Sequence, residues 1–137
     1  MRTPVAGRLH DMAEANATFS TVLTVAIPVS DQDRTKALLE SLGLTTTEDA
    51  ELQPGFRWIE LALPGGGPSL SLVAAGDDLR AGIDTGIRLG TSDARGAHAT
   101  LRTAGLDVGE LLDWETAPLM FSFCDADGNR YYVSETA

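Results

Sequence analysis

The chain carries one pattern twice, as SDQDRTKALLESLGL at residues 30–44 and SDARGAHATLRTAGL at residues 92–106. The two stretches have equal length and lie 62 positions apart. Each opens with Ser-Asp, whose side chains accept hydrogen bonds from the free N–H groups of a first helical turn, and each ends on Gly-Leu, where glycine adopts the left-handed geometry that closes a helix. A match at both ends predicts a duplicated structural unit with one helix in each copy.

Segments with the residue pattern of β-strands surround both predicted helices. One strand precedes each helix, at 22–29 and 83–89, and two strands follow it, at 56–63 with 69–74 and at 119–124 with 130–134. A weaker strand is expected between each helix and the first strand after it, at 45–52 and 106–112. Turns rich in Gly and Asp join the last two strands of each half, and residues 76–82 form a linker. We therefore expect an extension over residues 1–20 and one α+β domain over residues 21–137, with modules at about 21–75 and 82–136.

Composition excludes several classes of protein. The chain has 137 residues, 43% of them hydrophobic, and a net charge of −10, which predicts a folded domain that repels nucleic acid and anionic membrane surfaces. No stretch approaches the length of a membrane span, and the N-terminal region lacks the apolar run of a signal peptide. Cys124 is the only cysteine, so no intrachain disulfide forms. We expect a soluble, cytoplasmic protein.

Three motifs in this order resemble the vicinal oxygen chelate superfamily, which comprises the glyoxalases, bleomycin resistance proteins and extradiol dioxygenases. They are PVSDQDR at 28–34, SLGL at 41–44 and FCDADGN at 123–129. Ala126 stands where the superfamily usually places proline. The resemblance implies two βαβββ modules that form a cupped mixed sheet, with the helices on the outer face and a cavity inside. It also implies a homodimer, because the cups of this superfamily are often completed across a subunit contact.

The resemblance places the usual metal ligands of the superfamily at Thr24, Ser71, Gly86 and Tyr132. A catalytic divalent site generally needs three or more imidazole or carboxylate donors, and none of these four residues supplies one. We therefore predict no metal and no cofactor. His98 on the second helix and His10 in the extension are expected to be ordinary structural or surface residues, and Cys124 a small buried side chain.

Side chains alternate across a strand, so the residues that do not cover the helices should line the cup. Together with Trp114 from a loop, the predicted ligand-binding residues are Thr24, Trp58, Glu60, Ser71, Arg88, Trp114, Met120, Ser122 and Tyr132. Aromatic walls with a few polar groups are typical of small-molecule pockets and suit a planar or cationic ligand, which Glu60 could attract. Two other readings stay open: Trp58 and Tyr132 fill a core or a dimer contact, and Arg88 pairs only with Glu60 or Asp84.

The sequence thus predicts a metal-independent small-molecule binding protein of the glyoxalase and bleomycin-resistance type, which sequesters an antibiotic or another planar or cationic metabolite. The alternative is a lyase or isomerase of the same superfamily that transfers protons through Glu60 or Tyr132, or a metal enzyme whose ligands lie elsewhere in the chain. A regulatory or structural dimer with a filled cup is the third possibility.

Overall fold

The computed structural model describes residues 16–137, so His10 and most of the predicted extension lie outside the described residues. Module 1 consists of β1 (Thr24–Val29), α1 (Gln32–Ser41), β2 (Thr45–Gln53), β3 (Phe56–Ala62) and β4 (Ser69–Ala74). Module 2 consists of β5 (Asp84–Thr91), α2 (Ala94–Thr103), β6 (Asp107–Val108), β7 (Met120–Cys124) and β8 (Arg130–Glu135). The predicted α+β class with two similar βαβββ modules is confirmed.

Both helices begin and end at the residues that the repeat marks. The carboxylates of Asp31 and Asp93 each accept a hydrogen bond of 3.0 Å from the backbone N–H three residues further on. Such a cap contributes about 1 kcal/mol to helix stability. Gly43 and Gly105 follow the helices with φ of +102° and +84°, values that residues with a Cβ rarely adopt.

Each module forms its own four-stranded mixed sheet, and no ladder of strand hydrogen bonds joins the two sheets within residues 16–137. The order is β1-β4-β3-β2 in module 1 and β5-β8-β7-β6 in module 2. The outer strands β1 and β5 run parallel to β4 and β8, and the other pairs are antiparallel. No helix in this part of the chain is long and apolar enough to cross a lipid bilayer.

Strand β6 is shorter than the sequence predicted: only two residues of segment 106–112 form regular strand. The ladder weakens at Gly109, which has no side chain to pack and whose carbonyl oxygen lies 2.8 Å from Nε2 of His98 on α2. The Gly109 N–H still donates to the carbonyl oxygen of Ser122 at 2.8 Å, and beyond it the pairing with β7 consists of an isolated bridge between Leu112 and Met120. The His98 ring also meets the Phe121 ring edge-on at 5.0 Å between centroids, so this histidine has the structural role that was expected.

The helix-covered faces of the two sheets share one hydrophobic core. Its buried residues come from both modules: Ile27, Val29, Leu39, Ile59, Leu61, Leu70, Leu72, Ala94, Leu101, Phe121, Phe123, Tyr131 and Val133. A cavity of about 350 Å³ lies within this contact, with Leu39 of α1 and Leu101 of α2 on its wall. The opposite face of each sheet therefore points away from the contact between modules.

The turn at 125–129 links the two modules. Asn129 is fully buried, and its Nδ2 donates a hydrogen bond of 2.9 Å to the carbonyl oxygen of Pro28 at the end of β1. Its Oδ1 accepts from the backbone N–H groups of Gly82 and Ile83 at 2.8 and 3.1 Å. Nδ2 also donates to the carboxylate of Asp125 at 3.1 Å. One amide thus connects the first strand, the linker and the turn.

A second contact from the same turn reaches the start of α1. The Asp127 carboxylate accepts hydrogen bonds from the backbone N–H and the hydroxyl of Ser30. It also pairs with Arg34 at 3.5 Å. The Arg34 guanidinium is half exposed, so this ion pair adds little to stability beside the buried Asn129 contacts.

Tyr131 is expected to make the fold sensitive to alkali. It is 2% exposed, and its hydroxyl donates to Asp125 at 2.9 Å. Burial, followed by the nearby Asp125 charge, raises the pKa of Tyr131 far above its usual range, so the unfolded chain releases this proton near pH 10 while the folded chain keeps it. Stability from this group is complete below pH 10 and falls by about 1.4 kcal/mol per pH unit above it.

Tyr131→Phe removes that proton and is expected to flatten the loss of stability between about pH 10 and 12. At neutral pH it costs about 1 kcal/mol, for the lost hydrogen bond. Urea unfolding of both proteins across this pH range measures the difference. Parallel curves for the two proteins would show that Tyr131 does not carry the effect.

Candidate ligand-binding faces

The face of module 1 that points away from the helix carries a chain of hydrogen bonds. The Thr24 hydroxyl donates to the carbonyl oxygen of Ser69 at 3.1 Å, so the 2.6 Å contact between the Thr24 and Ser71 hydroxyls has Ser71 as its donor. The Ser69 hydroxyl donates to Glu60 Oε2 at 2.8 Å, and the indole N–H of Trp58 donates to Glu60 Oε1 at 3.0 Å. We call these five residues the module 1 face.

This arrangement fixes Trp58 rather than activating Glu60. Residues 58 and 60 lie two apart on β3 and share one face, which places the indole N–H next to the carboxylate. Both carboxylate oxygens already accept a hydrogen bond, so Glu60 has less capacity to attract a cation than its charge suggests. Its contacts also weigh against the predicted alternative role as a proton-transfer group.

The corresponding face of module 2 surrounds a cavity of about 250 Å³. Its lining residues are Arg88, Gly109, Glu110, Leu112, Met120, Phe121, Ser122, Tyr132, Val133 and Ser134. Four predicted ligand-binding residues, Arg88, Met120, Ser122 and Tyr132, therefore lie together, as their register on β5, β7 and β8 requires. We call these four residues with Asp84 the module 2 face.

Tyr132 is held by two neighbours. The Cζ atom of Arg88 lies 4.0 Å from the centroid of its ring, and its hydroxyl donates a 2.6 Å hydrogen bond to Asp84. That hydrogen bond raises the pKa of Tyr132 and lowers the pKa of Asp84. A phenol that already donates its proton to a carboxylate is a poor proton donor to a substrate, which weighs against the enzymatic alternative. Within residues 16–137 Arg88 forms no ion pair with Asp84 or Glu60.

Two functional contacts were missed by sequence reasoning. Asp84 reaches Tyr132 because β5 bulges between residues 84 and 88, with Gly86 at φ +71° and its N–H bonded to Asp84 at 3.1 Å. Bulges often redirect side chains at binding sites. Arg130, on the neighbouring strand β8, donates a hydrogen bond of 3.0 Å to the Ser122 hydroxyl. The glycine inside a predicted strand was the one available signal of the bulge.

The four positions to which the resemblance assigns metal ligands do not fit a divalent cation here. The Thr24 and Ser71 hydroxyls bond to each other, Gly86 has no side chain, and the Tyr132 hydroxyl donates to Asp84. Across residues 16–137, no three His, Cys, Asp or Glu side chains converge as a metal site would require. Cys124 is a buried free thiol.

The predicted ligand-binding residues fall into two separate groups. Thr24, Trp58, Glu60 and Ser71 lie on the module 1 face, and no hydrogen bond or ion pair links them to the module 2 face within the described chain. Trp114 belongs to neither group, since its side chain is 56% exposed in the loop before β7 and does not line the 250 Å³ cavity.

No protein-family model and no curated protein matches the chain in sequence. Solved structures do match it. A member of the glyoxalase/bleomycin resistance protein/dioxygenase superfamily from Sphaerobacter thermophilus aligns with a TM-score of 0.79 and 27% identity, over 88% of this chain and all of that one. The antibiotic binding protein TnmS3 from a Streptomyces species aligns with a TM-score of 0.77 and 27% identity, over 89% and 100% of the two chains. The chain is therefore similar in fold and in sequence to members of this superfamily.

A glyoxalase/bleomycin resistance protein, also from Streptomyces, aligns with a TM-score of 0.70 and 29% identity, over 84% of this chain and 99% of that one. The resemblance to the superfamily that the three motifs indicated is thereby confirmed. The paired modules of these structures are present here, and the residues at the four positions that the resemblance assigns to metal ligands are hydroxyl-bearing side chains and a glycine.

Proposed function

We propose that this chain is a metal-independent small-molecule binding protein that sequesters an antibiotic or a similar planar metabolite in the cytoplasm. The observation that carries the proposal is the hydrogen bond between Thr24 and Ser71, which pairs two metal-ligand positions with each other. Trp58, fixed by Glu60, lies on the same face as this pair, and a 250 Å³ cavity lies beside Tyr132 on the module 2 face. A cavity with a few placed polar groups suits ligand binding. The likeness to an antibiotic binding protein supports the same function.

The binding site is proposed to form between two copies of the chain. Each of the two faces carries four of the nine predicted ligand-binding residues, and both faces point away from the core that the modules share. A homodimer that places the module 1 face of one copy against the module 2 face of the other would bring all of them except Trp114 around one cup.

Calorimetry against planar, cationic and peptide-derived antibiotics tests the binding function. We expect at least one compound to bind with micromolar affinity or better, unchanged by EDTA. A silent panel, combined with tight stoichiometric binding of a divalent metal, would overturn the proposal. Trp58→Ala should lower the affinity of the bound compound at least tenfold, whereas Trp114→Ala should not. If Trp58 only fills a structural contact, its substitution would instead reduce stability and leave affinity unchanged.

Mixing two defective variants tests the shared cup. Trp58→Ala and Tyr132→Ala each damage one face, so each homodimer has two defective cups. A mixed dimer has one cup with both substitutions and one with neither, and it should regain one intact site. After subunit exchange, calorimetry on the mixture should detect one binding site in each mixed dimer. No recovery after proven exchange would place both faces of a site in the same chain.

A further inference from the structure

The guanidinium of Arg88 lies over the aromatic ring of Tyr132 on the module 2 face. Its Cζ lies 4.0 Å above the Tyr132 ring, and Nη1 donates to the carbonyl oxygen of Gly86 at 3.0 Å. Those two contacts hold the guanidinium over the ring. Since Arg88 also lines the 250 Å³ cavity and is exposed, the other side of the guanidinium is open to a ligand.

The charges around this cavity favour a ligand with negative or electron-rich character. A second guanidinium, that of Arg130, lies on the neighbouring strand and donates to Ser122. Glu110 is the acidic residue that lines the cavity, and Asp84 lies next to it through its hydrogen bond to Tyr132. Asp84 already accepts hydrogen bonds from the Tyr132 hydroxyl and the Gly86 N–H, so its charge is partly compensated. Glu110 is exposed at the rim, where solvent weakens its effect.

We infer that Arg88 makes this site select planar aromatic acids over cations of the same shape, an inference that rests on the binding function proposed above. A guanidinium stacks on aromatic planes and pairs with carboxylates through two parallel N–H groups. A ligand ring that lies on the open side of Arg88 continues the stack begun by Tyr132, and an acidic substituent at its edge meets the remaining N–H donors. A cationic ring system in the same place meets like charge.

The preference also separates the two ligand classes that the sequence left open. Glu60, the group expected to attract a cation, has both carboxylate oxygens bonded to Trp58 and Ser69. Arg88, by contrast, has no carboxylate partner within the described residues. Of these two charges, the positive one of Arg88 is therefore the more available to a ligand, although the whole chain carries a net charge of −10.

Two probes that differ only in charge test the inference: 2-naphthoate and 2-naphthylmethylammonium, titrated by calorimetry into the unmodified protein. We expect 2-naphthoate to bind at least tenfold more tightly, as a charge-assisted hydrogen bond allows. Its affinity should fall as salt is added. Equal affinities, or tighter binding of the ammonium probe, would overturn the inference without any variant being needed.

Arg88→Gln should abolish the preference, and Arg88→Lys should retain part of it, because lysine keeps the charge but lacks the planar group. The matched control is Arg102→Gln, which removes an exposed arginine on α2 that does not line this cavity and should change neither affinity. An unchanged preference in Arg88→Gln would overturn the inference. If neither probe binds while an antibiotic of the panel does, the charge preference fails and the binding function stands. If nothing binds at all, both fail.

Discussion

Asn129→Ala is expected to be among the most destabilising single substitutions in this chain, at about 3–4 kcal/mol. The side chain is fully buried, and it satisfies the Pro28 carbonyl and the N–H groups of Gly82 and Ile83. Alanine leaves these groups without their partner at the point where the modules meet. A chain of this size should lose roughly 10 °C in melting temperature.

Ala126→Ser is the matched control for this prediction. Residue 126 lies in the same turn with an exposed side chain, so the change should stay within about 0.5 kcal/mol. Urea unfolding followed by circular dichroism measures both variants. A loss below about 1 kcal/mol for Asn129→Ala would show that water replaces the amide and that the modules do not depend on it.

Phe123→Ala is expected to cost about 3–5 kcal/mol. The ring is 4% exposed and stacks on Tyr131 at 5.0 Å between centroids with planes 14° apart. It also borders the 350 Å³ cavity between the modules. Removing the ring enlarges a space that the surrounding side chains already leave unfilled, so little relaxation can offset the loss. The cost should therefore lie in the upper part of that range.

Phe56→Ala is the control for this prediction, because it removes an aromatic ring that lies outside the core. Phe56 is 44% exposed, and its contact with Trp58 is a tilted one at 6.3 Å. We expect less than about 1 kcal/mol for this change. Equal losses for Phe56→Ala and Phe123→Ala in denaturant unfolding would contradict the assignment of Phe123 to a shared core.

The helices and most strands could be predicted because their signals are local. Asp31 and Asp93 form caps with residues three positions away, and Gly43 and Gly105 close the helices through their own backbone angles. Recurrence of these signals 62 residues apart then identified the duplication. The error at β6 has a distant cause, since the contact that interrupts the strand comes from His98 on a helix.

The residues of the candidate site could be predicted from the sequence only in part. Strand alternation correctly separated Tyr132 from the core residue Tyr131, because one position along a strand exchanges the two faces. It could not reveal that Glu60 is bonded to Trp58 and Ser69, or that Arg88 lies on Tyr132 instead of pairing with an acid. Those partners depend on which strands become neighbours and in what register.

Periodicity, caps and the repeat were enough to establish two βαβββ modules, and the resemblance to the superfamily implied hydroxyls and a glycine at its usual metal-ligand positions. Spatial neighbours decided the rest. The strand register joined Thr24 to Ser71, the bulge at Gly86 brought Asp84 to Tyr132, and packing of the helix-covered faces directed the two candidate faces away from their common core. Local patterns describe how a segment folds, whereas contacts between residues distant in the chain depend on how whole sheets pack.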